Sequence, residues 1–343
     1  MSEGNIILGA GVTGLAAGFV SGFPVYEAEE HPGGICSSYY MRLGDPRRYY
    51  DPPADDEAYR FEFGGGHWLW VPNNLSEIHK FITEFASLKK YNRKSAVFFP
   101  DMKFFVPYPL QYNLSYLPKN IRDRAIKEIF NGSKRTIITL ADWLENNFGA
   151  TLCDLFFFPF HDLYSAGLFK QIACDDQYKT PIDKKLILKG VAEDHEDAGY
   201  NVSFFYPERG LNNFTKNIEI ELTCYYNHKA IKIDVKNKKI IFQNGLNLSY
   251  NNILSTLPLN VTVKLAEIEM DCKEDPYIAV LVLNIGAFKG PKCPEYHWLY
   301  IPRSHSGFHR IGFYSNVDSS FLPNSYRHKE NYVSIYVERS LQA

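Results

Sequence analysis

The sequence predicts an α/β fold, and its first thirty residues carry that prediction. Residues 5–8 are a short apolar run of the kind that forms a buried strand, and residues 24–28 are a second one. Between them, residues 12–22 have the length of a helix, with small side chains at Ala16, Ala17 and Gly18 where the helix would pack on a sheet. This order is typical of parallel strands joined by a crossover helix.

The turn between the first strand and the helix is rich in glycine. Gly9, Gly11 and Gly14 have the Gly-x-Gly-x-x-Gly spacing, which lets the backbone approach a pyrophosphate at a helix N-terminus. Glu27 ends the second strand, where a carboxylate can accept hydrogen bonds from an adenosine ribose. Together these features predict a Rossmann-type dinucleotide-binding domain. A secretory leader is the weaker interpretation, because no Lys or Arg precedes Arg42.

Length and composition limit the functional classes. The chain has 343 residues, 45% hydrophobic and 15% aromatic, which is enough for a sizeable core and two interleaved domains. A net charge of −2 gives no reason to expect nucleic acid or an anionic membrane as a partner. The six cysteines are scattered, so neither a zinc site nor a disulfide framework is predicted. We therefore expect a cytoplasmic protein without a metal or a membrane span, and an oligomer is possible.

The rest of the chain predicts helices first and strands later. Apolar residues have helical spacing at 76–88 and 117–129, and a further helix at 139–148 should end near Gly149. Hairpins are predicted around residues 100–102 and 236–238. From Val202 onward the sequence predicts mainly strands.

A second glycine pair, Gly33 and Gly34, follows Glu27 in the segment EAEEHPGGICSS. This extension resembles the FAD-binding signature of the amine oxidase and protoporphyrinogen oxidase superfamily more than it resembles nicotinamide dehydrogenases. The resemblance implies that FAD is the cofactor and that the Rossmann-type domain is of the GR2-like kind.

Further motifs carry a closer resemblance. FGGGHWLW, VPYPLQYNLSYLP, FFYPERGLNNF, NILSTLP, HWLYIPRSHSGFHRIGFYSN and NYVSIYVERS have the order and approximate spacing found in UDP-galactopyranose mutases, particularly the eukaryotic-type ones. The similarity spans nearly the whole chain. Most single motifs also occur in protoporphyrinogen-oxidase-like proteins, so the family prediction is broader than the prediction of an activity.

The resemblance implies which residues lie near the flavin. His67 matches a histidine beside the flavin ring, and Gly65 and Gly66 match backbone against its reactive edge. His67, Gly66 and Arg310 are therefore the candidate catalytic residues. The alternative for His67 is a core histidine beside Trp68.

The resemblance also implies a substrate pocket. Gln111 matches a pocket-side glutamine, Trp298 and Tyr300 match aromatics around the nucleotide sugar, and Arg310 matches an arginine that clamps the diphosphate. Alternation along a strand predicts that both aromatics point to one face, and a guanidinium offers paired donors to phosphate oxygens. The alternatives are ordinary core aromatics and a solvated surface arginine.

Several positions depart from the family pattern. Ser165 stands where a tryptophan is expected and Val317 where an aromatic is expected, and Lys179 is the nearest candidate for a second diphosphate arginine. The sequence also stops at ERSLQA, where the family continues with another flavin-contacting segment. We expect either a fragment or a site that is completed differently.

The predicted domains are interleaved. We expect an FAD-binding Rossmann part at 1–70, a helical and substrate insertion at 71–200, a return to the FAD-binding domain at 201–265, and the mixed β-sheet of the substrate domain at 266–343.

Three functions stay open at this point. The first is an enzyme resembling UDP-galactopyranose mutase, which interconverts the pyranose and furanose forms of a nucleotide sugar through reduced flavin and needs no side-chain nucleophile. The second is an FAD-dependent amine oxidase, protoporphyrinogen oxidase-like oxidoreductase or desaturase acting on another small molecule, which would need an aromatic cage and no diphosphate clamp. The third is a non-catalytic flavoprotein.

Overall fold

Mixed β-sheets with helices packed against them form the part of the chain that the computed structural model describes, residues 4–70, 76–132, 136–174, 182–192 and 202–343. The predicted α/β class is confirmed. The strands are β1 (Gly4–Leu8), β2 (Val25–Tyr26), β3 (Ser38–Met41), β4 (Tyr59–Glu62), β5 (Leu88–Asn92), β6 (Ser95–Phe99), β7 (Phe104–Pro107), β8 (Ser203–Pro207), β9 (Cys224–Tyr225), β10 (Ala230–Asp234), β11 (Lys239–Phe242), β12 (Asn247–Ser255), β13 (Ile278–Phe288), β14 (Trp298–Tyr300), β15 (Arg310–Phe313) and β16 (Tyr332–Gln342).

The helices vary in length from one turn to more than three. They are α1 (Val12–Ser21), α2 (Ser76–Phe85), α3 (Lys119–Asn131), α4 (Leu140–Leu152), α5 (Phe158–Tyr164), α6 (Lys184–Lys189), α7 (Leu211–Glu219), α8 (Leu259–Leu265) and α9 (Tyr314–Val317). Within the described ranges, none is both long enough and apolar enough to cross a membrane.

The chain divides into two compact units. The first comprises Met1–Lys89 and Phe205–Asp275, and the second comprises Lys90–Phe204 and Pro276–Ala343. Each unit is therefore built from two separate stretches of sequence. The four domain boundaries expected from the sequence, and the assignment of one domain to FAD and the other to substrate, stay predictions.

β1 lies inside the main sheet of the first unit, whose strand order is β10-β11-β12-β1-β2-β9. It runs parallel to β12 on one side and to β2 on the other. Ile7 belongs to a buried cluster with Leu15 of α1, whereas Ile6 and Leu8 belong to a different cluster with Phe242 of β11. Because both faces of the strand are covered, its side chains are apolar without alternation.

Helix α1 crosses from β1 to β2 as the sequence predicts. It ends at Ser21, and Gly22 adopts a left-handed φ of 70° while its N–H donates to the Gly18 carbonyl oxygen at 2.8 Å. A Cβ at Gly18 would lie 2.9 Å from the Val25 side chain, so the small residue permits close packing on the sheet. The second strand is shorter than expected, because only Val25–Tyr26 are in β2.

The main sheet of the second unit has the strand order β13-β16-β15-β14-β6-β7. β14 runs parallel to β6, and the other neighbouring strands are antiparallel. The predicted hairpin around residues 100–102 joins β6 to β7, and in the first unit the one around 236–238 joins β10 to β11. The helical part of the second unit encloses a buried aromatic cluster in which Phe148 stacks on Phe157 at 4.4 Å.

The helix predicted at 139–148 is confirmed. Helix α4 begins at a Thr139–Asp142 capping box, and Gly149, with φ 75°, interrupts it where the sequence predicts its end. The Glu128 carboxylate accepts the Thr151 N–H at 2.7 Å and its hydroxyl at 2.8 Å, so the chain is capped again and continues in a helical form.

The prediction of mainly strands after Val202 is confirmed, since β8 to β16 lie there, but the helices α7, α8 and α9 lie among them. Helix α7 buries Leu211, Phe214, Thr215 and Ile218 at helical spacing. The signal was therefore present in the sequence, although the apolar face is short.

Candidate cofactor and substrate sites

The glycine turn of the first unit has two glycines that packing requires and one that faces open space. Gly9 has φ 95°, and a Cβ there would lie 2.7 Å from the Thr256 hydroxyl. A Cβ at Gly14 would overlap the Gly9 carbonyl oxygen, whereas a Cβ at Gly11 would meet nothing within 4 Å. Gly9 and Gly14 thus allow the helix to start against the strand end, and Gly11 leaves room beside the helix N-terminus.

Gly11 is also the N-cap residue of α1. No side chain among the described residues caps this helix end. The first amides of a helix have no partner inside the helix and bind anions well. The turn therefore combines open space at Gly11 with a helix N-terminus that no described side chain caps, as a pyrophosphate site requires.

Glu27 is tied to the same turn. Its Oε2 accepts the Ala10 N–H at 2.5 Å, and its Oε1 accepts the Glu29 N–H at 2.9 Å. Each carboxylate oxygen can accept a second hydrogen bond. The position and the remaining acceptor capacity fit the predicted contact with ribose hydroxyls.

The second glycine pair lies directly beside the first turn. Gly33 donates its N–H to the Ala10 carbonyl oxygen at 2.8 Å and forms an isolated parallel β-bridge with Gly11. Gly33 and Gly34 both have positive φ, and a Cβ at Gly34 would lie 3.4 Å from the Gly11 Cα. Segments about twenty residues apart in sequence thus form one backbone surface.

Thr256 completes this surface and was missed by the sequence reasoning. Its hydroxyl donates to the Leu8 carbonyl oxygen at 2.8 Å. It follows β12, the parallel neighbour of β1, so both strand ends meet at one edge of the sheet. The motif NILSTLP contained the signal, but only the pairing of β1 with β12 shows what Thr256 contacts.

The triple glycine before His67 has a packing explanation as well. A Cβ at Gly64 would overlap the His67 ring. Gly65 adopts φ 73°, and its carbonyl oxygen accepts the His67 N–H at 2.9 Å. Gly65 is buried, and Gly66 and His67 are half-buried. The sequence reasoning singled out Gly65 and Gly66 and missed Gly64, which makes room for the histidine ring.

A buried carboxylate, Glu62, precedes this glycine segment. It accepts hydrogen bonds from the hydroxyl of Ser38 at 2.8 Å and from that of Tyr206, and Arg60 lies 3.9 Å away. Burial raises the pKa of Glu62 despite the opposing effects of Arg60 and of these hydrogen bonds. Because Ser38 and Glu62 are cross-strand partners, the network holds β3 to β4 next to the glycine segment.

In the second unit, Trp298 and Tyr300 lie on one face of the sheet, as alternation predicts. Trp298 is buried and packs near Phe204, with ring centroids 5.8 Å apart. Tyr300 packs against Tyr108 at 4.7 Å and Phe160 at 5.4 Å. Both side chains therefore belong to aromatic clusters of the second unit.

Arg310 is paired with a carboxylate that the sequence reasoning missed. Its Nε donates to Glu338 Oε2 at 2.7 Å and its Nη2 donates to Oε1 at 2.5 Å. The Arg310 side chain is only 26% exposed, so a solvated surface arginine does not describe it. The predicted diphosphate ligand would meet an arginine that already donates two of its five N–H groups to Glu338.

Glu338 is ionised in this arrangement. Burial alone would raise its pKa, but the charge of Arg310, together with hydrogen bonds from His309 and Arg310, lowers it to about 2. His309 Nε2 lies 3.4 Å from Glu338 Oε2. The pair of Arg310 and Glu338 therefore carries no net charge at neutral pH.

The other predicted positions are distributed through the second unit. Gln111 is 2% exposed and lies in the short helical turn Leu110–Tyr112. Ser165, which replaces the expected tryptophan, donates its hydroxyl to the His161 carbonyl oxygen at 2.7 Å and so caps the end of α5. Val317 is buried in α9, and Lys179 lies outside the described residues.

Comparison with solved structures identifies the fold. A reduced UDP-galactopyranose mutase aligns over 99% of this chain and 75% of that chain, with a TM-score of 0.82 and 23% identity. A proposed protoporphyrinogen oxidase from Exiguobacterium sp. 255-15 aligns over 99% and 77%, with a TM-score of 0.66 and 13% identity. A putrescine oxidase aligns over 98% and 75%, with a TM-score of 0.59 and 12% identity.

No family model matches the chain. At these sequence identities the structural likeness establishes the fold. It confirms, at the level of the fold, the predicted resemblance to UDP-galactopyranose mutase and to the oxidases.

The depressed pKa of Glu338 predicts how stability depends on pH. Its contribution to the free energy of unfolding is fully present above the ordinary pKa of 4.5 and is lost as the pH falls to about 2. Between pH 5 and pH 2, the wild type should lose about 3 kcal/mol more stability than Glu338→Gln. Urea unfolding of both proteins at several pH values measures the free energy of unfolding. If it changes equally with pH in the two proteins, the lowered pKa of Glu338 is contradicted.

Proposed function

We propose that the protein is an FAD-dependent enzyme that interconverts the pyranose and furanose forms of a nucleotide sugar. The observation that carries the proposal is the likeness to reduced UDP-galactopyranose mutase, at a TM-score of 0.82 over 99% of the chain. The order of the quoted motifs supports the same activity.

The glycine surface of the first unit fits FAD. Gly9, Gly11 and Gly14 would hold the pyrophosphate at the start of α1, and Glu27 would accept hydrogen bonds from the ribose. The adjoining backbone of Gly33 and Gly34 would extend this contact, and Gly65, Gly66 and His67 would lie at the flavin ring. Bound FAD supplies a ring system that is nucleophilic when reduced.

The second unit supplies the groups proposed to hold the substrate. Trp298 and Tyr300 would form the aromatic wall beside the nucleotide sugar, and Gln111 would be the pocket-side amide. Arg310 still has its Nη1 group and one further proton for the diphosphate, because Glu338 accepts from only two of its five N–H groups. These residues would hold the sugar in a reactive orientation relative to the flavin, which lowers the entropic part of the barrier.

A second candidate function has its own supporting observation. Tyr300 packs against Tyr108 at 4.7 Å and against Phe160 at 5.4 Å, and Phe160 stacks on Tyr164 at 5.4 Å. The charge of Arg310 is neutralised by Glu338. An aromatic cluster beside an arginine that is already paired suits an oxidoreductase of the amine oxidase or protoporphyrinogen oxidase kind. Such an enzyme would take a hydride from an amine, a porphyrinogen-like ring or an alicyclic substrate.

Replacement of Gly11 by valine tests the cofactor site. A Cβ at this position meets nothing within 4 Å, and its φ of −65° suits any residue, so the protein should fold. It would occupy the space proposed for the pyrophosphate, and the FAD content of the purified protein, measured by absorbance, should fall at least tenfold. Gly290→Val is the matched control, since Gly290 also has open space around it. Full FAD occupancy in Gly11→Val would refute the site.

Titration with UDP tests the diphosphate role of Arg310. Loss of hydrogen bonds from a charged group should weaken UDP binding to Arg310→Gln by about 1.5 to 3 kcal/mol. Arg303→Gln removes an exposed arginine that donates to the Asp154 carbonyl oxygen, and it should bind UDP like the wild type. Equal affinities in all three proteins, measured by calorimetry, would exclude Arg310 from diphosphate binding.

The redox state of the flavin separates the two candidate activities. A mutase should convert a UDP-hexose to its other ring form only after reduction with dithionite, because only reduced flavin is nucleophilic. An oxidoreductase should instead bleach its flavin when substrate is added without dithionite. Chromatography of the sugar nucleotides and the flavin spectrum distinguish these results, and substrate-driven bleaching without ring isomerisation would favour the second candidate.

A further inference from the structure

Arg310 and Glu338 belong to a row of side chains that crosses the sheet of the second unit. Antiparallel pairing places Tyr300 opposite Arg310, and Arg310 opposite Glu338. Directly opposed residues on antiparallel strands point to the same face. The three side chains are therefore neighbours because of strand register, and Glu338 comes from a segment that follows Arg310 by 28 residues.

The surroundings of the pair restrict how Arg310 can move. A Cβ at Gly312 would overlap the ring of Tyr336, so this glycine lets the tyrosine lie against β15. The Arg310 Cζ lies 5.8 Å from the centroid of that ring. Arg310 is thus held by a bidentate carboxylate on β16 and is flanked by an aromatic ring of the same strand.

Glu338 is close to completely buried, with 3% of its surface exposed. A buried carboxylate that lost Arg310 would be left without its compensating charge, which is costly. An anion that displaced Glu338 from the Nε and Nη2 donors would leave this buried carboxylate without its arginine, and binding would be weakened by the free energy of that separation. A ligand is therefore directed to the Nη1 edge of the guanidinium.

We propose that Glu338 determines specificity at the Arg310 site: as a built-in counterion, it prevents small free anions from binding to Arg310 and presents only the Nη1 edge to a larger diphosphate ligand. A small anion gains little binding free energy from an arginine whose charge is already neutralised by Glu338. A nucleotide diphosphate gains additional contacts from its base and sugar, so it can bind where pyrophosphate does not. This inference rests on the proposed function, in which Arg310 contacts the substrate diphosphate.

Inorganic pyrophosphate is the probe that tests the inference. Calorimetry on the full chain as purified should find that Glu338→Gln binds pyrophosphate at least about tenfold more tightly than the wild type, since an unneutralised arginine makes charge-assisted hydrogen bonds to it. Glu295→Gln removes an exposed carboxylate paired with Lys289 and should leave the affinity unchanged. The gain should disappear when Arg310→Gln is combined with Glu338→Gln. Damage to the fold alone would weaken binding, so a gain is specific to the proposed role.

Two further measurements keep the outcome decisive. If Glu338→Gln does not fold, Glu338→Asp retains the charge but shortens the side chain by one methylene, and it should show a smaller gain in pyrophosphate affinity. Unchanged or weaker pyrophosphate binding in the folded variant overturns the inference.

UDP binding by the wild type is measured in parallel. If UDP binds and Glu338→Gln shows no gain in pyrophosphate affinity, the inference fails while the proposed function stands. If UDP does not bind and the gain is present, the proposed substrate fails while the role of Glu338 stands.

Discussion

The first unit depends on Gly9 and Gly14, because a Cβ atom at either position would overlap or crowd its neighbours. Helix α1 can begin directly after β1 only because Gly14 packs against the Gly9 carbonyl oxygen, where a Cβ would overlap it. The same closeness lets the Thr256 hydroxyl reach the carbonyl oxygen at the end of β1. Consequently the helix N-terminus, Glu27 and the Gly33–Gly34 backbone are assembled at one edge of the sheet. A methyl group at either glycine would separate the elements that the proposed cofactor site needs together.

Two buried carboxylates in the described part of the chain show how distance from a guanidinium decides whether an acid is ionised. Glu62 has an arginine 3.9 Å away and two hydroxyl donors, and burial raises its pKa. Glu338 has an arginine in bidentate contact at 2.5 and 2.7 Å, and its pKa is lowered. Both are almost fully buried, so desolvation acts on each of them. Direct contact with the guanidinium is what keeps Glu338 ionised.

The structural likeness constrains function less than it constrains the fold. The same architecture occurs in a mutase and in two oxidases, at identities between 12% and 23%. A fold shared by different chemistries leaves the reaction to the side chains at the site. Here Ser165 serves as a local cap where a tryptophan was expected, and Arg310 already has a counterion. Within the shared fold, the chain therefore differs from the family pattern at individual positions such as Ser165.

The sequence by itself determined the local features. The apolar run of β1, the Gly-x-Gly-x-x-Gly turn, the length of α1, the hairpins and the Thr139 capping box all follow from residues within a few positions of one another. The tertiary structure alone decided that Thr256 meets Leu8, that Gly64 makes room for the His67 ring, that Glu128 carries the α4 helix past Gly149, and that Glu338 neutralises Arg310. Most of these contacts join segments far apart in the chain, and a one-residue change in strand register would turn the paired side chains to opposite faces. Propensity and spacing describe each strand, but strand pairing and packing select which side chains meet.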